Sequence, residues 1–154
     1  AQLKGEPLPT VIDVELQLDF VDLSPRAATS ESAAALPYDY VDEEPLRLDV
    51  YKKLAEVVTI EDVTRLREEL QDRFGPLPPP VKRLLQIADL RILAHAHQLQ
   101  TVRVRAGRLH LARNGVYLKH GKRFPRLLGE TPDMQLDEIG ELIETLETWA
   151  VAAT

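Results

Sequence analysis

Thr101-Val102-Arg103-Val104-Arg105-Ala106-Gly107-Arg108-Leu109-His110-Leu111-Ala112-Arg113-Asn114-Gly115-Val116-Tyr117-Leu118 is the stretch on which the fold turns. Apolar and polar residues alternate along it, the period of a half-buried β-strand. Two breaks interrupt the alternation, Ala106-Gly107 and Asn114-Gly115. An Asn-Gly pair between alternating runs is a strong hairpin signal, because a two-residue hairpin turn needs positive φ at both positions. The stretch predicts a small antiparallel meander. Val102, Val104, Leu109 and Leu111 face inward, and Arg103, Arg105, Arg108 and His110 face water.

Upstream, Thr10 to Val21 alternates in the same way, with Ile12, Val14, Leu16, Leu18 and Phe20 on one side. This predicts an opening strand entered through Pro7 and Pro9. Between the two β regions the period changes to helical. A first helix is expected from about Glu43 to Val57, with Asp42 as cap, Pro45 in its first turn and an apolar stripe of Leu46, Val50, Leu54 and Val57. A second starts at Thr59, with Asp62 three residues on as a capping-box variant, and stops at Gly75. After the stiff run Pro76–Pro80, a third runs to about Gln98. Its apolar arc is wider than the others, so it is expected at the centre of the fold. A last helix is expected from about Gln135 to Ala150, its acids largely solvated. Gly140 inside it costs roughly 1 kcal/mol against Ala and calls for a close neighbour.

These elements predict an α+β class: a small antiparallel sheet flanked by about four helices. The 154 residues suit one domain, with residues 10–154 as a single regulatory unit and 22–45 as a flexible connector containing the small-residue run Ala27–Ala35. The chain opens on Ala1 rather than Met, and residues 1–9 are expected to be a linker from an upstream part of a longer protein.

The formal charge of −6 is unevenly placed. Residues 1–50 sum to −8, residues 51–100 to +1, residues 101–126 to +8 without a single acid, and residues 127–154 to −7. The basic stretch is either neutralised within the fold or turned towards a partner. Arg103, Arg105, Arg108, Arg113, Lys122 and Arg123 are its candidate partner-facing residues, and the partner is either a nucleic acid or an acidic surface. Aromatics for base stacking are sparse there, Tyr117 and Phe124.

Other chemistries find little. There is no cysteine, so disulfides, thiolate metal sites and cysteine nucleophiles are excluded. His95 and His97 are two apart on a helix and diverge, and His110 and His120 are isolated, so no metal site is expected. Ser24, Ser30 and Ser32 sit in the connector without a nucleophile motif. The Gly115–Lys122 stretch has neither the spacing nor the context of a phosphate loop. The many carboxylates lie on polar helix faces, with nothing to place them in one pocket. No apolar run is long enough for a secretory or membrane segment, which fits a cytoplasmic protein.

One stretch is more specific than composition. Arg47-Leu48-Asp49-Val50-Tyr51-Lys52-Lys53-Leu54-Ala55 is followed by Leu66-Arg67-Glu68-Glu69-Leu70-Gln71-Asp72-Arg73-Phe74-Gly75-Pro76-Leu77-Pro78. Together they resemble the C-terminal domain of the bacterial transcription-repair coupling factor family (Mfd/TRCF), in which an R-L-x-x-Y-K-R-L-A helix precedes a helix ending E-L-x-D-R-F-G-P-L-P. Val14-Glu15-Leu16 and Pro37-Tyr38-Asp39-Tyr40-Val41 look like that family's opening strand and its P-x-x-Y-I element. The resemblance covers about residues 10–100. Beyond 101, a compact meander and Phe124–Pro132 fill the space before the final helix.

The resemblance implies a non-catalytic, autoinhibitory role in transcription-coupled nucleotide excision repair. The family's full protein is an ATP-dependent DNA translocase that engages stalled RNA polymerase. Its motor binds ATP and DNA upstream of this domain, so no cofactor is expected in this chain. The domain docks on the N-terminal UvrB-like module of the same protein and masks the surface that binds UvrA, the damage-recognition ATPase, until polymerase is engaged. On that reading Glu69, Asp72 and Arg73 are the candidate docking residues. Glu69 and Asp72 share a helix face three residues apart, and Arg65 or Arg73 could instead pair with Glu69 within the helix. Phe74 is expected to pack and Gly75 to end the helix, and Arg47 and Tyr51 to orient the first helix against the opening strand.

Overall fold

In the computed structural model, residues 12–23 and 32–152 are described. The expected linker at 1–9, and the part of the small-residue connector at 24–31, lie outside them. The opening strand is shorter than its alternation suggests: β1 spans Glu15–Leu18, with Leu16 and Leu18 half-buried and Glu15 and Gln17 exposed. Three helices follow, α1 (Glu44–Glu56), α2 (Ile60–Phe74) and α3 (Pro79–Ala96). Then come the meander strands β2 (Thr101–Arg105), β3 (Arg108–Arg113) and β4 (Val116–Leu118), and finally α4 (Pro132–Glu144) and α5 (Leu146–Ala152).

The sheet order is β1-β2-β3-β4. The meander is antiparallel, as its turns require. Ala106 (φ 52°) and Gly107 (φ 79°) make one two-residue turn, and Asn114 (φ 53°) and Gly115 (φ 78°) the other. Ala106 is held in this unusual backbone region by its amide, which donates to the Asp19 carboxylate at 2.9 Å. β1 instead joins β2 in parallel, with Leu16 opposite Val102 and Leu18 opposite Val104. The fold is thus α+β with a mixed sheet. The parallel edge follows from the three-helix crossover between the two strands, which returns the chain to the end where β1 began.

Helix ends follow local chemistry. Thr59 and Asp62 form a reciprocal capping box, the Asp62 amide donating to Thr59 Oγ1 and the Thr59 amide to Asp62 Oδ2, both at 3.1 Å. Asp62 Oδ2 also accepts from the Val58 amide. Gly75 ends α2 at φ 97°, its amide donating to Gln71 O. α1 differs from expectation: its cap is Glu43 and not Asp42, with no side-chain capping bond, and Pro45 occupies a first-turn position that needs none. The final helix is broken in two at Thr145, whose Oγ1 donates back to the Glu141 and Leu142 carbonyls. The break turns Trp149 inward, where it is 1% exposed and donates from Nε1 to Leu142 O.

Two apolar clusters share α3. Ile87, Leu90 and Ala94 pack with the inner sheet face, α4, Leu146 and Trp149. Val81, Leu85, Ala88 and Ile92 pack with α1 and α2. The central position expected from the wide apolar arc of this helix is what the structure shows, since only a helix apolar on two sides can serve two cores.

The later part of the connector is core, not surface. Ala33, Ala34, Ala35 and Leu36 are at most 1% exposed. The small side chains let this segment run against its neighbours, and its backbone is tied to Asp22 by the Asp22 amide to Ser32 O and the Ala34 amide to Asp22 O, both 2.9 Å. Two buried arginines hold it. Arg47 donates to the carbonyls of Leu36 (2.9 Å), Pro37 (3.3 Å) and Val41 (2.9 Å), and its guanidinium lies 3.8 Å from the Tyr38 ring centroid. Arg83 donates to Ala33 O at 2.7 Å and to Asp133 at 3.0 Å, joining the connector, α3 and α4. The Tyr51 hydroxyl accepts the Leu36 amide. Arg47 and Tyr51 therefore orient α1 against the connector, and not against the opening strand as the sequence suggests.

Replacing Arg47 by Ala leaves the Leu36 and Val41 carbonyls without their side-chain donor, while Pro37 O keeps the Tyr40 and Val41 amides. The expected loss is at least about 3 kcal/mol, with Arg47→Lys recovering only part of it because an ammonium cannot supply the guanidinium fork. Chemical denaturation of both variants checks this. Gly140 meets no backbone. A Cβ there would sit 3.5 Å from Leu90 Cδ2, an ordinary contact. Gly140→Ala is therefore expected to stabilise by about 0.5–1 kcal/mol, readable as a raised thermal midpoint.

Candidate docking surface and basic sheet face

Of the three candidate docking residues, two are already engaged within the fold. Glu69 Oε2 accepts from Lys53 Nζ on α1 at 2.7 Å and from Arg73 on its own helix at 2.9 Å. Lys53 also pairs with Asp49 at 3.3 Å. The Lys53 hydrogen bond, followed by that of Arg73, holds the Glu69 carboxyl below its usual range, and Glu69 in turn raises Lys53. Glu69 is thus a strap across the α1–α2 cleft, an open groove of about 340 Å³ lined also by Val57, Asp62 and Leu66. Arg65, the alternative partner four residues away, pairs with Asp62 instead.

Asp72 is different. It is exposed and makes no ion pair or hydrogen bond among the described residues. Arg73 is exposed next to it, its guanidinium carbon over the Phe74 ring at 5.1 Å from the centroid. Phe74 packs on Tyr40, whose hydroxyl donates to the Gly75 and Leu70 carbonyls. The end of α2 is thereby a rigid platform carrying one unpaired carboxylate and one guanidinium outward.

The basic segment divides. Arg113 lies on the inner side of the meander's far end and is taken up within the fold, donating to His97 O at 2.6 Å and to Glu147 at 2.9 Å. Its pairing lowers the Glu147 carboxyl. Arg113 therefore does not belong to a partner-facing set. Arg103, Arg105 and Arg108 stay on the outer sheet face, where Arg103 donates to Gln17 Oε1 and Arg108 to Phe124 O. Lys122 and Arg123 are exposed in the turn that follows β4. None of these five has an ion-pair partner among the described residues. The sparse aromatics prove to be collected. His110, Tyr117 and Phe124 form one cluster on this face, with centroids 4.3 Å apart for His110–Phe124 and 6.1 Å for His110–Tyr117. The loop from 119 to 126 carries Phe124 back over β3 through the Leu109 amide to Pro125 O and the Leu127 amide to Gly107 O, each 2.8 Å.

Sequence reading missed two features. Asp89, Asp137, Glu141 and Glu144 line one open cleft between α3 and α4, although they come from distant positions. Burial raises the half-buried Asp89 carboxyl, offset in part by Arg67 at 3.7 Å. Glu138, expected to be solvated, accepts the Leu128 and Gly129 amides at 2.8 and 2.6 Å. Only side chains converging across elements could reveal either. Among the described residues no group of three or more His, Asp or Glu is placed to hold a metal ion, and no helix is long and apolar enough to cross a membrane.

A helical platform joined through a central helix to a mixed sheet is the architecture of a known domain class, the TRCF domain, whose family model matches residues 31–116. The chain belongs to that family. It is similar to the transcription-repair-coupling factor of Haemophilus influenzae, 43% identical over 74 residues that make up 48% of this chain. It is similar also to that of Bacillus subtilis, 29% identical over 100 residues or 65% of this chain. It spans only 6% and 7% of the length of these relatives. The fold matches a crystal structure of the C-terminal domain of a transcription-repair coupling factor, with a TM-score of 0.63 at 16% identity, covering 92% of this chain and 97% of the other. That match runs through the C-terminal half, where the sequence motifs fade.

The Glu69 strap has a pH signature. A carboxyl lowered in the folded state contributes stability above its unfolded value, near 4.5 for glutamate, and loses it as the pH falls through the folded value. Glu69→Gln is expected to lower stability at pH 7 by roughly 0.5–1 kcal/mol, as for an exposed two-cation network, and to flatten the fall below pH 4.5. Thermal melts of both forms between pH 7 and 3 check this, and equal slopes would exclude the strap.

Proposed function

We propose that this domain is the autoinhibitory docking module of a transcription-coupled DNA repair translocase. In this reading it carries no chemistry of its own. ATP and DNA are handled by the motor of the parent protein, and RNA polymerase is engaged elsewhere on it. The domain docks on the N-terminal UvrB-like module and covers the UvrA-binding surface. Engagement of polymerase shifts the equilibrium towards the open state, where UvrA binds and excision repair begins.

The observation that carries this reading is the end of α2 in a TRCF-family chain. Asp72 is an unpaired, exposed carboxylate on a platform held rigid by Phe74, Tyr40 and Gly75. A carboxylate presented on a rigid element and left without an internal partner suits a charged contact with basic side chains of another module. Arg73 supplies the opposite charge beside it. Glu69 contributes by holding α1 and α2 in register and keeping Arg73 in place, with only Oε1 left for a partner.

This separates the variants that test it. Glu69→Lys would set a third cation against Lys53 and Arg73 and disturb the domain itself, so its effect on docking is mixed with one on stability. Asp72→Lys touches nothing inside the fold. In the full-length parent protein, Asp72→Lys is expected to strengthen UvrA binding about fivefold or more by opening the docked state, while the melting temperature of the isolated domain stays put. UvrA affinity unchanged from wild type would remove Asp72 from the docking surface.

A further inference from the structure

We propose that the outer face of the β2–β4 sheet binds single-stranded nucleic acid, with Tyr117 and Phe124 as base-stacking platforms and Arg103, Arg105, Arg108 and Lys119 as phosphate contacts. This surface is separate from the α2 platform and goes beyond the docking reading.

Three observations converge on it. The first is unpaired charge. The ion pairs among the described residues use arginines and lysines of α1, α2 and α3, and Arg113, but none of these four. The acid-rich C-terminal segment, which could have neutralised them, instead uses Glu147 on Arg113, Asp133 on Arg83 and Glu138 on backbone amides. Asp19 lines one groove with Arg103 and Arg105 at the β1 edge but its carboxylate is bonded to the Ala106 amide, and a set of cations that forms no ion pair within its own fold is a ready seat for a polyanion.

The second is the interleaving of rings and cations. The Arg103 guanidinium carbon is 5.9 Å from the Tyr117 centroid, and Lys119 Nζ is 5.2 Å from that of Phe124. Tyr117 and Phe124 stand edge to face at 6.5 Å between centroids. Tyr117 is 40% exposed with no hydrogen bond to bury it, and Val116 beside it is 59% exposed. A base stacked on such a ring leaves its phosphate within reach of the neighbouring cation. An acidic peptide would satisfy the charges but leave the rings unused, and a duplex offers no free base face, so the rings favour a single strand.

The third is the backbone. Strands alternating side chains across a short sheet put Arg103 and Arg105 two residues apart on one strand, and Arg108 opposite Arg105. The chain from 124 to 127 is pinned onto β3 by the Arg108–Arg126 bridge, which fixes Phe124 on the same face. The platform is therefore preorganised, and binding need not order it.

The test is fluorescence anisotropy of a labelled oligo-dT with this chain at low salt. Expected are saturable binding, a log–log salt slope of about −2 or steeper for three or more phosphates, and weaker binding of a duplex of the same length. Tyr117→Ala should weaken the oligo-dT complex about fivefold or more, and Arg105→Glu should flatten the salt slope. Both side chains are exposed, and near-ultraviolet circular dichroism of buried Trp149 verifies that the variants are folded. Absence of binding at low salt overturns the proposal. So does binding that is indifferent to Tyr117→Ala, equal for duplex, or displaced equally well by polyglutamate, since each marks a general polyanion or acidic-protein surface.

Discussion

The guanidinium of Arg47 is the point on which the arrangement of this domain hangs. Buried at 2% exposure, it meets no carboxylate among the described residues and donates to the carbonyls of Leu36, Pro37 and Val41 beside the ring of Tyr38. A segment without regular structure satisfies only part of its own backbone in a core, here through the Tyr40 and Val41 amides on Pro37 O, so something must donate to the rest. Arg47 does so for the Leu36 and Val41 carbonyls, and Arg83 does so for Ala33 while reaching Asp133. Together they convert a connector of small residues into a wall of the core. They also set where α1 stands relative to α3, and hence where the α2 platform points.

From that constraint the division of the molecule follows. α3 is apolar on two sides because it serves two cores, one with α1 and α2 and one with the sheet, α4 and α5. Each core presents a different surface. The helical side ends in the α2 platform with Asp72 and Arg73, and the sheet side ends in an outer face of arginines and rings. The shared helix means that neither surface can shift without disturbing the packing of the other.

Much of this was legible in the chain. Alternation and the Ala106-Gly107 and Asn114-Gly115 pairs specified the meander, because turn geometry and side-chain period are local properties. Thr59 with Asp62, and Gly75 after Phe74, marked both ends of α2 for the same reason. The motifs around Arg47–Ala55 and Leu66–Pro78 pointed to the family that the comparisons established. The break at Thr145 was not legible, since an unbroken apolar stripe runs through it and only the inward turn of Trp149 reveals its purpose. Nor was the burial of Ala33–Leu36, whose composition is equally that of a loose linker. Among candidate site residues, Asp72 and Arg105 stand as exposed as their patterns suggested. Glu69 and Arg113 do not, because Lys53 and Glu147 come from elsewhere in the chain.

The sequence by itself determined the meander strands, the first three helices, their order and inner faces, and the polarised layout of charge, since these rest on period, capping and turn chemistry within a few residues. Only the tertiary structure decided that β1 lies parallel to β2 and that the connector is core. It alone decided that Arg113 is ion-paired internally while Arg103, Arg105 and Arg108 are not, and that three scattered rings make one cluster. Each of these depends on which distant groups meet, and a charge or a ring acquires its role only from the partner that burial brings, or fails to bring, within a few ångströms of it.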